Sequence, residues 1–479
     1  MSLATRIVAA WRALMGLYEG ATWSAANASR SYLNGGVQDA RLDISRSVRT
    51  ELVLKSRYWE CNSALVNRIA DLFECYTVGT GLQFTPDSSD QAWNDEWALR
   101  WEDWGVTCDV SGRLPFNEIQ SMAARAWLVD GEIFILLDPK SNKVQLIEGH
   151  KIETPPDLKD KEGVIVDDGV QIDKGGRVLG YHHKDVGFLR ADDVVHIFEP
   201  GRPGQYRGLP FLYPVLNDLH DLDDLQILEM KAAKDAAEIS YALVTQSGEM
   251  PAEKLRQSRF SIAQPLSTGA TAADSDERSK FIRDTIGGRA IALKTGEDIK
   301  SFTSGRPTVT TQQFWDYMTA KICAGVGVSK LLVYPGSVQG TVARAELDIA
   351  AAFFRAKSSI LQHHFGRIYE WETALANVTT RDKPADYRRY RTSPPRAVNV
   401  DVGRQTLAQL ASLKAGTTTY QQIYAEMGLD WRNGLRQRAD EAKYINDLAQ
   451  ERDIPPDQVS QVIVVPDATT TTSQEQEPA

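Results

Sequence analysis

Between Val48 and Phe73 the apolar residues Leu52, Tyr58, Trp59, Leu65, Ile69, Leu72 and Phe73 recur at helical spacing and predict one amphipathic helix. It should end before Gly79-Thr80-Gly81, where a glycine supplies the positive φ of a C-terminal cap. Leu82-Gln83-Phe84 then begins an extended stretch. Trp101 and Trp104 share a face of another helix, and Phe116 to Val129 predicts the next. After Asp130-Gly131 the period changes. Residues 133–137, 144–147, 163–166, 178–181 and 194–198 are short β-like runs punctuated by Asn, Asp, Gly, Lys and Pro. They predict a compact α+β lobe that ends near Pro200.

The second half is more helical. A Gly/Pro loop over 201–208 leads to Pro210, which suits a first helical turn. Leu212, Val215, Leu216, Leu219, Leu222, Leu225 and Leu228 then form one broad face that becomes alanine-rich. Unbroken from Pro210 to Val244, this helix would be roughly 50 Å long. Residues 247–310 are polar and irregular, closing on strand-like runs at 290–293 and 299–302. A helix resumes over 312–323 and is broken by Gly325-Val326-Gly327-Val328; 334–341 reads as a loop. Ala343 to Ala376 is strongly amphipathic, with Leu347, Phe353, Phe354, Leu361, Phe365 and Trp371 inward. Prolines 384, 394 and 395 mark a linker before helices at about 402–414 and 418–450, and Ala468 to Ala479 reads as a disordered polar tail. Met1 to Tyr18 reads as an amphipathic helix, since Arg6 and Arg12 interrupt its apolar residues, and not as a signal peptide.

Composition narrows the function. Hydrophobic residues make up 42% of the 479, enough for a folded core, and the formal net charge is −10. A protein that grips nucleic acid by neutralising phosphates carries a basic excess or stripe; this one does not, although DNA could slide past such a surface. Cys61, Cys75, Cys108 and Cys323 form no C-x-x-C pair and read as buried free thiols, suited to a reducing compartment. No stretch approaches the roughly 20 apolar residues of a membrane span.

Motifs that carry chemistry are nearly absent. Gly325-Val326-Gly327-Val328-Ser329-Lys330 lacks the spacing of a phosphate loop and follows a helix instead of a strand. Lys294-Thr295-Gly296 has no S-x-x-K partner, and G-x-S-x-G is absent. The seven histidines have no zinc spacing and read as surface or partly packed rings; His363 and His364 point to different faces of a helix. Asp218, Asp221, Asp223 and Asp224 lie largely opposite the leucine face, as a solvated surface or as a wall that repels phosphate. No catalytic residue, metal site or cofactor is expected.

The order of motifs resembles the lambda-type portal proteins of tailed phages, over about 45–450. Arg202-Pro203-Gly204-Gln205-Tyr206-Arg207-Gly208-Leu209-Pro210 is similar to the family's R-P-G-Q-x-R-G-x-P, and Val78-Gly79-Thr80-Gly81 to its V-G-x-G turn. Asp130-Gly131-Glu132 resembles its D-G-E, and 169–181 its G-V-E-x-D…Y hairpin. In the second half, Leu293 to Glu297, Phe314 to Val328, Gly416 to Thr419 and Ala425 to Asp430 each resemble a family motif in the same order. Two places depart: Lys55-Ser56-Arg57-Tyr58 stands where the family has R-A-R-x-L, and of the family's N-Y-S-S-x-R loop only Arg344 is matched.

The resemblance implies an α+β portal fold and a ring, commonly of twelve subunits, at one capsid vertex, through which double-stranded DNA is packaged and ejected without sequence-specific binding. It implies an N-terminal arm over 1–45, a wing over 46–205, a first stem helix over 206–246, a clip over 247–310 and a second stem helix over 311–332. A tunnel loop and its supporting helix would cover 333–376, the wing's return and a crown 377–455, and a tail 456–479. Val338, Gln339, Gly340, Thr341 and Arg344 would face DNA. Lys254, Arg256 and Arg259 of the clip would meet partners: the large terminase subunit during packaging, then a head-completion or adaptor protein. Major capsid or scaffold protein would surround the ring, which belongs to the virion after assembly in the host cytoplasm. The alternatives are another structural head or tail-adaptor protein, or a DNA-processing enzyme with ATPase or nuclease chemistry.

Overall fold

In the computed structural model the residues described are 39–158, 164–238, 241–244, 262–263, 290–293, 309–336, 340–375, 382–393, 395, 409–426 and 431–452. The N-terminal amphipathic segment, the strand-like run at 299–302, the 402–408 part of a predicted helix and the polar tail lie outside them.

The stretch predicted as one helix from Val48 to Phe73 is two. After the short α1 (Ala40–Asp43), α2 spans Arg46–Asn62 and α3 spans Ala64–Thr77. Between them Ser63 is extended (φ −114°, ψ 115°), ending one helix while its hydroxyl accepts from the Val66 amide to start the next. Serine competes for backbone partners in this way, which is why it breaks a pattern whose apolar spacing runs on. The predicted glycine cap is present: Gly79 has φ +62° and its N–H donates to the Glu74 carbonyl.

Strand β1 (Gln83–Pro86), α4 (Gln91–Thr107) and α5 (Phe116–Asp130) follow, then β2 (Glu132–Asp138) and β3 (Lys143–Glu148). Next come β4 (Ile165–Asp167), β5 (Val170–Ile172), β6 (Val178–His183), β7 (Gly187–Arg190) and β8 (Val194–Phe198). Two antiparallel sheets result, ordered β3-β2-β8 and β4-β5-β6-β7. The unbroken apolar run of β2 has a physical reason. Ile133, Ile135 and Leu137 face the main helical core, whereas Phe134, between them, faces a second core with Ile152, Val170, Ile172, Tyr181 and Leu189. A strand buried on both faces has no polar side to alternate with.

The expected 35-residue helix from Pro210 is shorter. Pro214 sits in a 3₁₀ turn (Tyr213–Val215), and α6 runs Leu216–Glu238, about 35 Å at 1.5 Å per residue. Tyr241–Val244 is strand β9, which pairs in parallel with β11 (Ala290–Leu293), and β10 (Ile262–Ala263) pairs with β11 as well. Non-local pairing outcompetes the local helical pattern there. The leucine face is also only partly covered: Leu222 is buried, but Leu228 is exposed.

Helix α7 (Val309–Val326) returns beside α6, tied to it by Lys321 Nζ to Asp218 Oδ1 at 2.7 Å. The short α8 (Lys330–Val333) precedes α9 (Thr341–Leu375), which crosses the main core with Ala350, Phe354, Leu361, Phe365 and Ile368 buried. Strand β12 (Tyr390–Ser393) then pairs antiparallel with β1, and α10 (Tyr420–Glu426) and α11 (Trp431–Arg452) follow. The fold is α+β. Cys108 and Cys323 are buried free thiols, pushed up by burial to about 12 and about 11 respectively. Cys61 and Cys75 are free but exposed, against expectation, because they fall on the outer faces of α2 and α3.

Candidate functional site

Two motifs separated by some seventy residues meet at one point. Asp130-Gly131-Glu132 closes α5 and opens β2; Arg207-Gly208-Leu209-Pro210 leads into α6. Gly131 has φ +84°, and a Cβ there would strike the backbone of Leu209 and Pro210. A Cβ at Gly208 would strike the Gly131 carbonyl. Two backbones therefore touch where only glycine allows it.

Beside that contact lies a buried ion network. Arg207 is 2% exposed, and Glu132 is fully enclosed. Arg207 Nε donates to both Glu132 oxygens at 3.0 Å, and Nη2 donates to Glu132 Oε1 at 2.5 Å and to the Gly149 carbonyl at 2.7 Å. Its Nη1 reaches the carbonyls of Ile152 and Asp168. The Gly208 amide adds a bond to Glu132 Oε2 at 2.8 Å. From α2, Arg49 donates Nε to Asp168 Oδ2 at 2.7 Å and Nη1 to Glu132 Oε1 at 3.2 Å. Two guanidinium groups thus balance two carboxylates.

Burial alone would raise the Glu132 carboxyl, but the Arg207 and Arg49 charges outweigh it and hold Glu132 well below the usual range. His196 stacks on Phe134 with centroids 4.0 Å apart and sits 3.2 Å from Glu132 Oε2. Its pKa is lowered, chiefly by burial. His182 and His196 are both buried, so the expectation of surface or partly packed histidines is corrected for these two. Asp168 enters from a two-residue β4–β5 turn in which it (φ +40°) and Gly169 (φ +86°) are both left-handed, the geometry an Asp-Gly hairpin favours.

Further clamps surround the network. Arg57 holds Asp130 through two bonds of 2.7 and 2.6 Å, and Ser56 donates to the Val129 carbonyl at 2.5 Å. These are the residues standing where the family pattern departs. Arg202 holds Asp43 at 2.6 Å. Lys357 of α9 pairs with Glu199 just beyond β8 and lies 4.9 Å over the ring of Phe211 and 5.4 Å over that of Phe353. The donors of Arg207 are spent on protein acceptors. This site fixes geometry; it offers no nucleophile.

The predicted DNA-facing residues lie elsewhere. Val338 and Gln339 fall outside the described residues. Gly340 has φ +79°, and its carbonyl accepts from the Arg344 amide at 3.4 Å as α9 begins at Thr341. Arg344 is exposed. The α7–α9 connection is braced by Lys330 to Asp316 at 2.9 Å and Ser329 to Glu346 at 3.0 Å. Lys254, Arg256 and Arg259 lie outside the described residues. Among the described residues no three His, Cys, Asp or Glu converge as metal ligands, and no helix is long and apolar enough to cross a membrane. Asp218 is half-buried in its pair with Lys321, so it leaves the solvated acidic face, whereas Asp224 stays exposed beside His220.

Residues 28–334 match the sequence pattern described as phage portal protein, lambda family. The chain belongs to that family of structural proteins. A protein of Halomonas phage phiHAP-1 named "Probable portal protein" is 24% identical over 241 residues. The match covers 46% of this chain and 44% of that protein, so the chain spans less than half of that relative's length. Among solved structures, a chain of the neck of the native gene transfer agent particle, computed with C12 symmetry, is 14% identical with a TM-score of 0.44, covering 79% of this chain and 93% of that one. A chain of the virion of the native particle is 12% identical with a TM-score of 0.41 over the same shares.

The motif residues Glu132, Arg207 and Gly208 were visible in the sequence as a pattern, but their contact was not. Arg49, Asp168 and Lys357 carry no such pattern, since an isolated charged residue on a helix or in a turn looks solvated. The Asp168-Gly169 turn between two β-like runs was the one local signal that could have drawn attention to Asp168.

Proposed function

We propose that this chain is a portal subunit: copies close into a ring at one capsid vertex, and double-stranded DNA passes through it during packaging and ejection. The observation that carries the reading is the family match over 28–334. A physical feature supports it. The paired helices α6 and α7 leave Ile227, Leu228, Met230, Phe314 and Tyr317 exposed on the isolated chain, an apolar surface that a neighbouring copy would cover. Head-to-tail contacts between such surfaces close into a ring when the rotation allows.

On this reading 46–205 is the wing, α6 and α7 lie in the stem segments 206–246 and 311–332, 247–310 is the clip and 377–455 the wing's return and crown. The loop at 338–344 faces DNA, and the net charge of −10 keeps the phosphate backbone from adhering. The clip, through Lys254, Arg256 and Arg259, docks the large terminase subunit and then the head-completion protein. Catalysis belongs to the terminase and not to this chain. Negative-stain microscopy of the purified protein is expected to show rings with a central pore; monomers or closed shells alone would overturn the reading. Gln339→Trp or Thr341→Trp should impair DNA packaging while rings still assemble. Failed assembly with normal packaging per ring would displace the loop from the channel.

A further inference from the structure

The turn between β2 and β3 meets the long helix α9 through a side-chain pair. Asn142 adopts φ +57°, a conformation that few residues besides Asn, Asp and Gly accept. Its carbonyl is fixed by Trp104 Nε1 of α4 at 2.9 Å, and its side chain points to α9, where Nδ2 donates to Glu372 Oε1 at 3.1 Å. Glu372 is 3% exposed. The second arm of each group, Asn142 Oδ1 and Glu372 Oε2, is fully enclosed and has no hydrogen-bond partner among the described residues.

With Glu372 ionised, both stranded atoms are acceptors, and two buried acceptors cannot satisfy each other. Turning the amide over only exchanges which oxygen is left alone. A proton on Oε2, if directed to Asn142 Oδ1, would remove both defects at once. We propose that Glu372 is held as the neutral carboxylic acid and that it and Asn142 form a two-point acid–amide pair, Nδ2–H to Oε1 and Oε2–H to Oδ1, clasping the β2–β3 turn to α9. This goes beyond the portal reading and does not depend on it.

The surroundings suit a neutral pair. Lys383 is the cation that acts on Glu372, and its ammonium donates to the Ala374 carbonyl at 2.8 Å. At the end of α4 the Cys108 thiol is kept neutral by burial, and Asp109 brings a negative charge. Lys143 of β3 donates to the Asp109 carbonyl at 3.2 Å. Burial pushes the Glu372 carboxyl up, only partly offset by Asn142 and Lys383. The sign follows: the clasp is complete at low pH and is lost as pH rises through the raised pKa of Glu372.

The full-length chain tests this with Glu372→Gln, whose amide supplies the same donor permanently. Infrared spectra of the wild type at mildly acidic pH, above the ordinary glutamate range, should contain a protonated-carboxyl C=O band that Glu372→Gln lacks. The two proteins should melt together at low pH and separate as pH rises, the variant melting higher. A wild type without that band, or a variant destabilised equally at every pH, would show an ionised Glu372 facing Lys383 and overturn the proposal. The band is read on the wild type itself, so the test survives a variant that folds poorly.

Discussion

Two ionic clusters hold distant parts of this chain together, and they differ in what surrounds them. Around Glu132, four charged side chains from α2, β2, the β4–β5 turn and the segment before α6 meet out of water. At the other cluster, Asp87 faces Arg391 at 2.8 Å, Arg389 at 3.6 Å and Arg432 of α11 at 3.8 Å, and Asp95 faces Arg436 at 3.4 Å. Arg436 and Asp95 are both more than half exposed. Exposed pairs are screened and gain little, whereas breaking a buried pair strands the remaining charge. The first cluster is therefore a rigid joint and the second a loose tether, although both look alike as a tally of ion pairs.

Substitution should separate them widely. Glu132→Gln leaves Arg207 and Arg49 buried with Asp168 as their remaining ion-pair partner, and should cost about 3–5 kcal/mol in urea unfolding. A loss near zero would mean the network is open to water. A second effect concerns His364 of α9, whose pKa burial lowers to about 4 and whose Nδ1 has no partner among the described residues. Because the folded form disfavours the proton, its contribution is present above pH 6.5 and is lost as pH falls toward 4. Its full extent is about 3 kcal/mol at 1.36 kcal/mol per unit. Urea melts of the wild type and His364→Gln at pH 7 and pH 4.5 should show the wild type losing more.

The backbone contact beside the joint belongs with these large effects. Gly131→Ala places a Cβ at positive φ against the Leu209 and Pro210 backbone, so its cost should exceed the about 1–3 kcal/mol of backbone strain alone, and it shows in the same unfolding measurement. Least of all, Arg436→Ala should change stability by no more than about 0.5 kcal/mol. Its effect should instead appear as faster proteolysis around α11 in low salt, a difference that high salt erases. A large thermal shift from Arg436→Ala would erase the contrast between joint and tether.

Local structure was legible where period and punctuation agreed. The β-like runs of the lobe, the Gly79 cap and the amphipathic α9 all follow from side-chain spacing. Ser63 and Pro214 divide apolar patterns that spacing alone carries across, and β7 and β12 have too few apolar residues to declare themselves. The joint was half legible. Glu132, Arg207 and Gly208 stood in recognisable motifs, but that a charged residue would be wholly enclosed is decided by partners seventy or more residues away. Arg49 and Asp168 could be chosen only once the lobe had closed around them, and Lys357 only once Phe211 and Phe353 had been brought over it.

The pairing of β1 with β12 joins Gln83 to Ser393 across about 300 residues. Phe84 on β1 packs against Trp101 and Phe116, but also against Tyr369 of α9 and Tyr390 of β12. While the chain is being made, the first half of that aromatic cluster emerges long before the second. At about 5–20 residues per second, the tryptophan-lined face of α4 waits roughly 15–60 s for its cover. A ribosome-bound intermediate of this chain would be greasy, half-built and dependent on chaperones until residue 393 arrives.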